Sequence, residues 1–182
     1  MNKDFQKIFD QIESQRSDLL TLLAGLDNSL LTKTPGPGKW SIMEILAHVM
    51  TAEELSIRYM QKKVQGINDV RDSGLIEYLK LVALNMIQRA PLRYNAPKVV
   101  VAHTPTELSF PELIARWDEN RRQLQKLLNS IPEHQTRRMI YRHVIVGRLN
   151  ALQALHFFRE HFEHHLPQVT KIINEATDIV YS

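Results

Sequence analysis

The sequence predicts an all-α protein: a four-helix bundle with an accessory helix and a long crossover loop. Three observations carry this. Long stretches place apolar residues at three- and four-residue steps, without the alternation of a half-buried strand. Two S-x-x-E capping boxes, Ser41 with Glu44 and Ser109 with Glu112, mark helix starts. Only six glycines occur in 182 residues, which suits a helical chain.

The first helix is expected from about Asn2 to Leu26. Phe5, Ile8, Phe9, Ile12, Leu19, Leu20, Leu23 and Leu26 make its apolar face, with Asp4, Lys7, Glu13 and Arg16 on the wet side. The stretch LTKTPGPGKW holds two prolines and two glycines, so no helix continues through it. It lacks the spacing of a phosphate-binding P-loop and no strand precedes it, which favours a structural role. Trp40 and Ile45 stand where a hydrophobic staple would sit around the Ser41 cap. They set the start of a second helix, from Ile42 to about Val64. On it Ile42, Ile45, Val49, Ala52 and Ser56 share one side and His48 lies on the flank.

Gly66 to Gly74 reads as a polar bend. Leu75 to Gln88 is helical again, with Leu75, Leu79, Val82, Ala83, Met86 and Ile87 in the pattern, until Pro91 stops it. Arg89 to Ser109 reads as an extended crossover whose β-like run, Val99 to Ala102, is too short to be more than packed loop or a minor strand. The third long helix begins at Ser109, with Leu108 and Leu113 as a second staple. Leu113, Ile114, Trp117, Leu124, Leu127, Leu128 and Ile131 line its inner face, and Pro132 ends it. Glu133 to Gly147 is a polar, arginine-rich connection with room for a short helical turn. The last helix starts at the N-cap Asn150 and runs to about Glu175. A chain of this length suits one domain, residues 1–182.

Composition narrows the function classes. With 43% hydrophobic and 24% charged residues the chain is an ordinary globular sequence. It has no cysteine, which excludes disulfides and thiolate metal sites. The charged, amphipathic N-terminal stretch has no signal-peptide core, and no run approaches the roughly 18 apolar residues of a membrane span. A cytoplasmic location is expected. Net charge is +3, with Arg121, Arg122, Arg137, Arg138, Arg142 and Arg148 close in sequence. No nucleic-acid motif accompanies them, so solvated helix faces and loop ends explain them better than a nucleic-acid surface.

The last helix carries four histidines, His156, His161, His164 and His165. With Phe158 at 0° on a helical wheel, His165 falls about 20° away, His161 about 60°, His164 about 120° and His156 about 160°. His161 and His165 are therefore the inward pair, and His156 is expected in water beside Glu160 and Glu163. Inward histidines at i and i+4 suit one metal ion, and His48 supplies a third imidazole. Three neutral imidazoles with open positions would fit zinc, nickel, iron or cobalt, and the spacing does not choose among them. Haem held between facing histidines is a weaker alternative.

The remaining polar groups take plainer readings. Glu44 is a cap rather than a general base. Glu163 and His164 point outward. Gln168, one turn past His165, is open between a supporting contact and none. Trp40 and Trp117 are staple and core residues, and His103, His134 and His143 lie in loop-like, exposed segments.

The segment PGKWSIMEILAH, Pro37 to His48, resembles the W-S-x-x-E-x-x-x-H signature of the DinB/YfiT-like superfamily, including its DinB-like 2 branch. HFEHHLPQ, His161 to Gln168, is similar to that family's second signature, H-x-x-x-H with a glutamine three residues later. GRLNA, Gly147 to Ala151, leads into the last helix in the same manner. The resemblance covers nearly the whole chain. It implies an up-down-down-up four-helix bundle and a divalent metal held by His48, His161 and His165. Nickel or zinc would come first, then iron, cobalt or manganese. Relatives include thiol-dependent S-transferases that use mycothiol or bacillithiol, proteins labelled metal-dependent hydrolases, and many dimers. The function implied is a metal-dependent S-transferase or hydrolase acting on a small molecule with a low-molecular-weight thiol, in a homodimer. The alternative is a non-catalytic metal-binding, ligand-sensing or stress-response module. The segment 66–109 lies outside the motifs, so substrate choice does not carry over.

Overall fold

The Asn2 side chain starts the first helix by accepting from the amides of Asp4, at 2.8 Å, and Phe5, at 3.4 Å. The computed structural model describes residues 1–89 and 96–180 of the chain. Helix α1 spans Lys3–Ala24 and buries Phe5, Ile8, Phe9, Ile12, Leu19 and Leu23, as its period predicts. Arg16 departs from expectation. It is buried rather than wet, because Asp118 at 2.7 Å and Glu13 at 3.1 Å neutralise its guanidinium.

A one-turn helix, α2 (Asn28–Thr32), follows and seats the buried Leu31 against the next long helix. The Pro/Gly loop then turns through Gly38, whose φ of 68° is a backbone conformation that L side chains rarely adopt. It delivers Ser41 to the start of α3 (Ile42–Val64). Both bonds of the capping box form: the Ser41 amide donates to Glu44 at 2.7 Å, and the Glu44 amide donates to the Ser41 hydroxyl at 3.2 Å. Helix α3 is buried on more than its expected side. Thr51, Glu53 and Glu54 are inside, while Ala52 is only half-buried.

Two segments differ from their sequence reading. Helix α4 (Leu75–Arg89) buries Leu81 and Leu84 and leaves Leu75, Leu79, Val82 and Met86 exposed. The expected β-like run is instead a short helix, α5 (Lys98–His103), entered from Pro97 and turning Val100 inward. Helical geometry satisfies this isolated backbone locally, which a lone strand could not do. Residues 90–95 of the expected crossover lie outside the described residues.

Helix α6 (Phe110–Ser130) opens with the Ser109–Glu112 box and buries Leu113, Trp117, Leu124, Leu127 and Leu128. A 3-10 turn at Glu133–Gln135 gives the short helical turn allowed for. The arginine-rich connection is otherwise an antiparallel hairpin of β1 (Tyr141–His143) and β2 (Gly147–Leu149), pairing Tyr141 with Leu149 and His143 with Gly147. The turn closes through Gly147, at φ 80°. Helix α7 (Ala151–Val180) follows at once. Asn150 and Gln153 cap it reciprocally, amide to side chain, at 2.9 and 2.8 Å. Pro167 sits inside α7 and cannot donate to the Glu163 carbonyl.

Side-chain pairs give the directions of the long helices. Gln11 meets Arg159 and Gln15 meets Glu163, so α1 and α7 run parallel. Met50 meets Asn120 and Gln61 meets Gln123, so α3 and α6 run parallel. Asn2 meets Glu133 while Arg16 meets Asp118, so α1 and α6 are antiparallel. The arrangement is the up-down-down-up bundle. Contacts α1–α7, α7–α3, α3–α6 and α6–α1 close it into a ring, with α4 packed on α7 and α5 on α3.

The core divides in two. One apolar cluster gathers Phe5, Ile12, Ile57, Leu128 and Phe158, and the other gathers Leu23, Ile45, Met50, Trp117 and Phe162. Paired charges lie between them. The Arg121 guanidinium reaches Glu53 at 3.0 Å and Glu13 at 2.6 Å, and Trp117 Nε1 donates to Glu53 at 2.7 Å. Glu53 and Arg121 are 1% and 4% exposed. Burial pushes the Glu53 carboxyl up, and Arg121 and Trp117 pull it back. Arg121→Met strands this carboxylate, so stability is expected to fall by about 3–5 kcal/mol in urea unfolding. Adding Glu53→Gln should recover part of the loss. A single variant within about 1 kcal/mol of the parent would show that the layer does not hold the bundle together.

Candidate metal centre

His48 comes from the second turn of α3, and His161 and His165 come from successive turns of α7. The antiparallel crossing of these helices brings the three together. Ring centroids lie 5.3 Å apart for His48–His161, 5.1 Å for His48–His165 and 4.9 Å for His161–His165. One ring nitrogen from each falls in a group whose members all lie within 4.8 Å of one another. Among the described residues no carboxylate joins the group.

The hydrogen bonding around these rings tests whether a metal fits. His165 Nδ1 is 3.2 Å from Gln168 Oε1. The amide oxygen can only accept, so Nδ1 carries the proton and Nε2 presents a lone pair. That Nε2 faces His161 Nε2 at 3.3 Å. Two nitrogens bound at about 2.0–2.1 Å to a tetrahedral centre stand about that far apart. His48 Nδ1 is buried without a hydrogen-bond partner. Three imidazoles, one aligned pair and one orphaned nitrogen match the donor set of a borderline divalent cation.

The electrostatics agree. Burial lowers the His48 pKa to about 4, with His164 adding to the effect. Burial and then His48 lower His165 to about 4, against the Gln168 hydrogen bond. His161 is also lowered well below its usual value, by burial first and then by His165, His48, His164 and His143. All three rings are therefore neutral near pH 7, the form that ligates.

The surroundings correct several expectations. Trp40, expected only at the staple position ahead of α3, also stands against the histidines. Its ring lies 4.9 Å from His48 and 6.5 Å from His165, so it covers the imidazoles and is 37% exposed. Trp117 is core, as expected. His143 is buried rather than exposed: the hairpin turns it inward, its Nδ1 accepts from the Ile145 and Val146 amides, and its ring packs on Phe157 at 4.6 Å. Phe157 in turn stacks on His161 at 5.3 Å. The sequence signal for the hairpin was only three residues of alternation, Tyr141, Arg142 and His143, and a turn glycine, Gly147; the structure shows the three buried, exposed and buried. Glu160 is also buried, 2.8 Å from Arg159, and His156 is half-buried. His164 is half-buried with its ring 5.1 Å from His165. Glu163 accepts from Gln15 at 2.7 Å, and Glu44 stays in its cap. His103 and His134 are exposed.

The family model described as the DinB superfamily matches residues 11–169, a span that includes all three histidines, Trp40 and the Ser41 cap. No curated protein matches the chain. The match takes in most of the sequence, with all of α3 and α6 and the greater part of α1 and α7, and on that ground the chain belongs to the DinB superfamily.

Proposed function

We propose that the chain binds a divalent metal through His48, His161 and His165 and acts as a metal-dependent enzyme, a thiol-dependent S-transferase or a hydrolase. The observation that supports this most directly is the convergence of three neutral imidazoles from two helices, with no carboxylate among the described residues completing the set. Zinc or nickel suits such donors best, ahead of iron, cobalt or manganese. When bound, the ion would acidify a water or a low-molecular-weight thiol and so supply a nucleophile near neutral pH. The chain's own residues have other tasks. Gln168 holds the His165 tautomer, Phe157 fixes the plane of His161, and Trp40 shields the rings from solvent. No described helix is long and apolar enough to cross a membrane. The reading takes residues 1–182 as one cytoplasmic domain acting on a small molecule.

One observation favours a second reading, a non-catalytic metal-binding or ligand-sensing module. The carboxylates nearest the histidines in sequence all have structural partners: Glu44 the Ser41 amide, Glu160 the Arg159 guanidinium, Glu163 the Gln15 amide. Turnover assays with thiols and electrophiles, or with ester and amide substrates, separate the two. Metal-dependent turnover lost in His48→Ala supports the enzyme, and metal binding without turnover supports the module.

Elemental analysis of purified protein should find close to one divalent ion per chain. His48→Ala or His165→Ala should weaken metal binding by at least about a hundredfold with the helical content kept. Gln168→Leu should weaken it by about tenfold. A parent protein that takes up no divalent ion ends the proposal.

Proton competition follows from the depressed pKa values. The folded imidazoles bind fewer protons than the unfolded ones below their usual value of 6.5. The metal-free fold therefore keeps its full histidine contribution above about pH 6.5 and loses it as the pH falls toward 4. Bound metal should likewise survive dialysis at pH 5.5 and leave as the pH approaches 4. Release centred above pH 6 would contradict the buried, neutral site.

A further inference from the structure

His48 leaves open a choice that His165 does not. A cation takes one nitrogen from each imidazole. On His165 Gln168 Oε1 holds Nδ1 at 3.2 Å and leaves Nε2. On His48 the Nδ1 atom is buried with no partner among the described residues. A cation at Nδ1 would satisfy it, and a cation at Nε2 would leave it to the protein.

A second unpartnered group lies one turn on. Thr51 is 1% exposed, and its hydroxyl also has no partner among the described residues. Other helical hydroxyls turn back on their own helix. Thr32 donates to the Asn28 carbonyl at 2.9 Å, Ser56 to Ala52 at 2.7 Å and Thr170 to Leu166 at 3.1 Å. Thr51 makes no such bond. The remaining side chains with buried unpartnered atoms, Gln15, Asn85, Arg121, Arg138 and Arg159, lie apart on other segments, and the three arginines have carboxylates beside them. Among the described residues only His48 and Thr51 share a helix.

Their spacing suits one another. Residues three apart on a helix are neighbours, with Cβ atoms about 5–6 Å apart. Helical side chains lean toward the N-terminus, which tips Thr51 toward His48. The two make no direct hydrogen bond, and one water spans a gap of this kind. Such a bridge satisfies both groups, whereas a cation at His48 Nδ1 would still strand the Thr51 hydroxyl.

We propose that Thr51 is a positioning residue for His48: the Nδ1–H of His48 donates to a buried water, which donates to the Thr51 hydroxyl and leaves Nε2 as the ligand atom. This rests on His48 being a metal ligand. His48 and His165 then present the same nitrogen, one held by Thr51 and the other by Gln168.

Nitrogen-15 spectra of the full chain, metal-free and at neutral pH, read the contact without any metal. His48 should carry its proton on Nδ1. Thr51→Val should move that proton toward Nε2, and Thr51→Ser should leave it in place. Zinc titration reads the consequence: Thr51→Val should weaken binding about tenfold, and Thr51→Ser should stay within about twofold of the parent. A residue that only packs gives the reverse order, because valine fills the volume of threonine and serine leaves a cavity. A parent His48 protonated on Nε2 overturns the proposal, as does serine weakening zinc binding more than valine. If the chain takes up no zinc, the metal reading falls, and the proton position in the parent and in Thr51→Val still decides for or against the bridge.

Discussion

The contact between Glu53 and Arg121 governs how the long helices stand against one another. Apolar packing is tolerant of sliding, because one leucine fills a hole much as another does. A buried carboxylate bound to a guanidinium is not tolerant, since a shift of one turn would leave both charges unpaired in a medium that cannot solvate them. Glu13 and Glu53 meet Arg121, while Glu13 and Asp118 meet Arg16, so the layer ties α1, α3 and α6 at one height. His48 lies little more than one turn before Glu53 on α3. The register that satisfies the charges thereby also fixes the height of His48 against α1 and α6.

This division of labour explains the two-part core. The cluster around Phe158 supplies bulk burial at one end of the bundle, and the cluster around Trp117 supplies it at the other. Trp117 belongs to both kinds of interaction. Its ring packs against Phe162, its Nε1 bonds to Glu53, and Arg16 and Arg121 lie about 6 Å from its face. The histidine cluster sits beyond this layer, where Trp40 limits access to water.

Much of this was legible in the sequence because the signals are local. A capping box needs four residues and a helical wheel needs about two turns, so the long helices, both caps and the inward placement of His161 and His165 followed from neighbours in the chain. The misreadings share the opposite property. Arg16 is charged and looks wet until Asp118, far along the chain, is seen beside it. His143 looks like a loop residue until Gly147 turns the hairpin and Phe157 receives the ring. The α4 pattern marked an apolar stripe correctly, but periodicity does not say whether a stripe meets this chain's core or something outside it. The three valines at 99–101 have β propensity, but no strand among the described residues pairs with them, and they fold as helix.

The parallel placement of α1 beside α7 has a consequence for how the protein comes into being. The first and last long helices of the described chain are neighbours, so the ring closes only through the most distant contacts in sequence. Partial chains lacking α7 have no partner for the Phe158 side of the core and no second half for the histidine cluster. Loop-closure entropy for such a contact grows slowly with length, but it must be met before any reward is received. Assembly is therefore expected to be late and cooperative, with α7 docking as the event that completes core and cluster together. A cation bridging α3 and α7 would then act as a clasp on a loop of more than a hundred residues, the kind of crosslink that constrains an unfolded chain most.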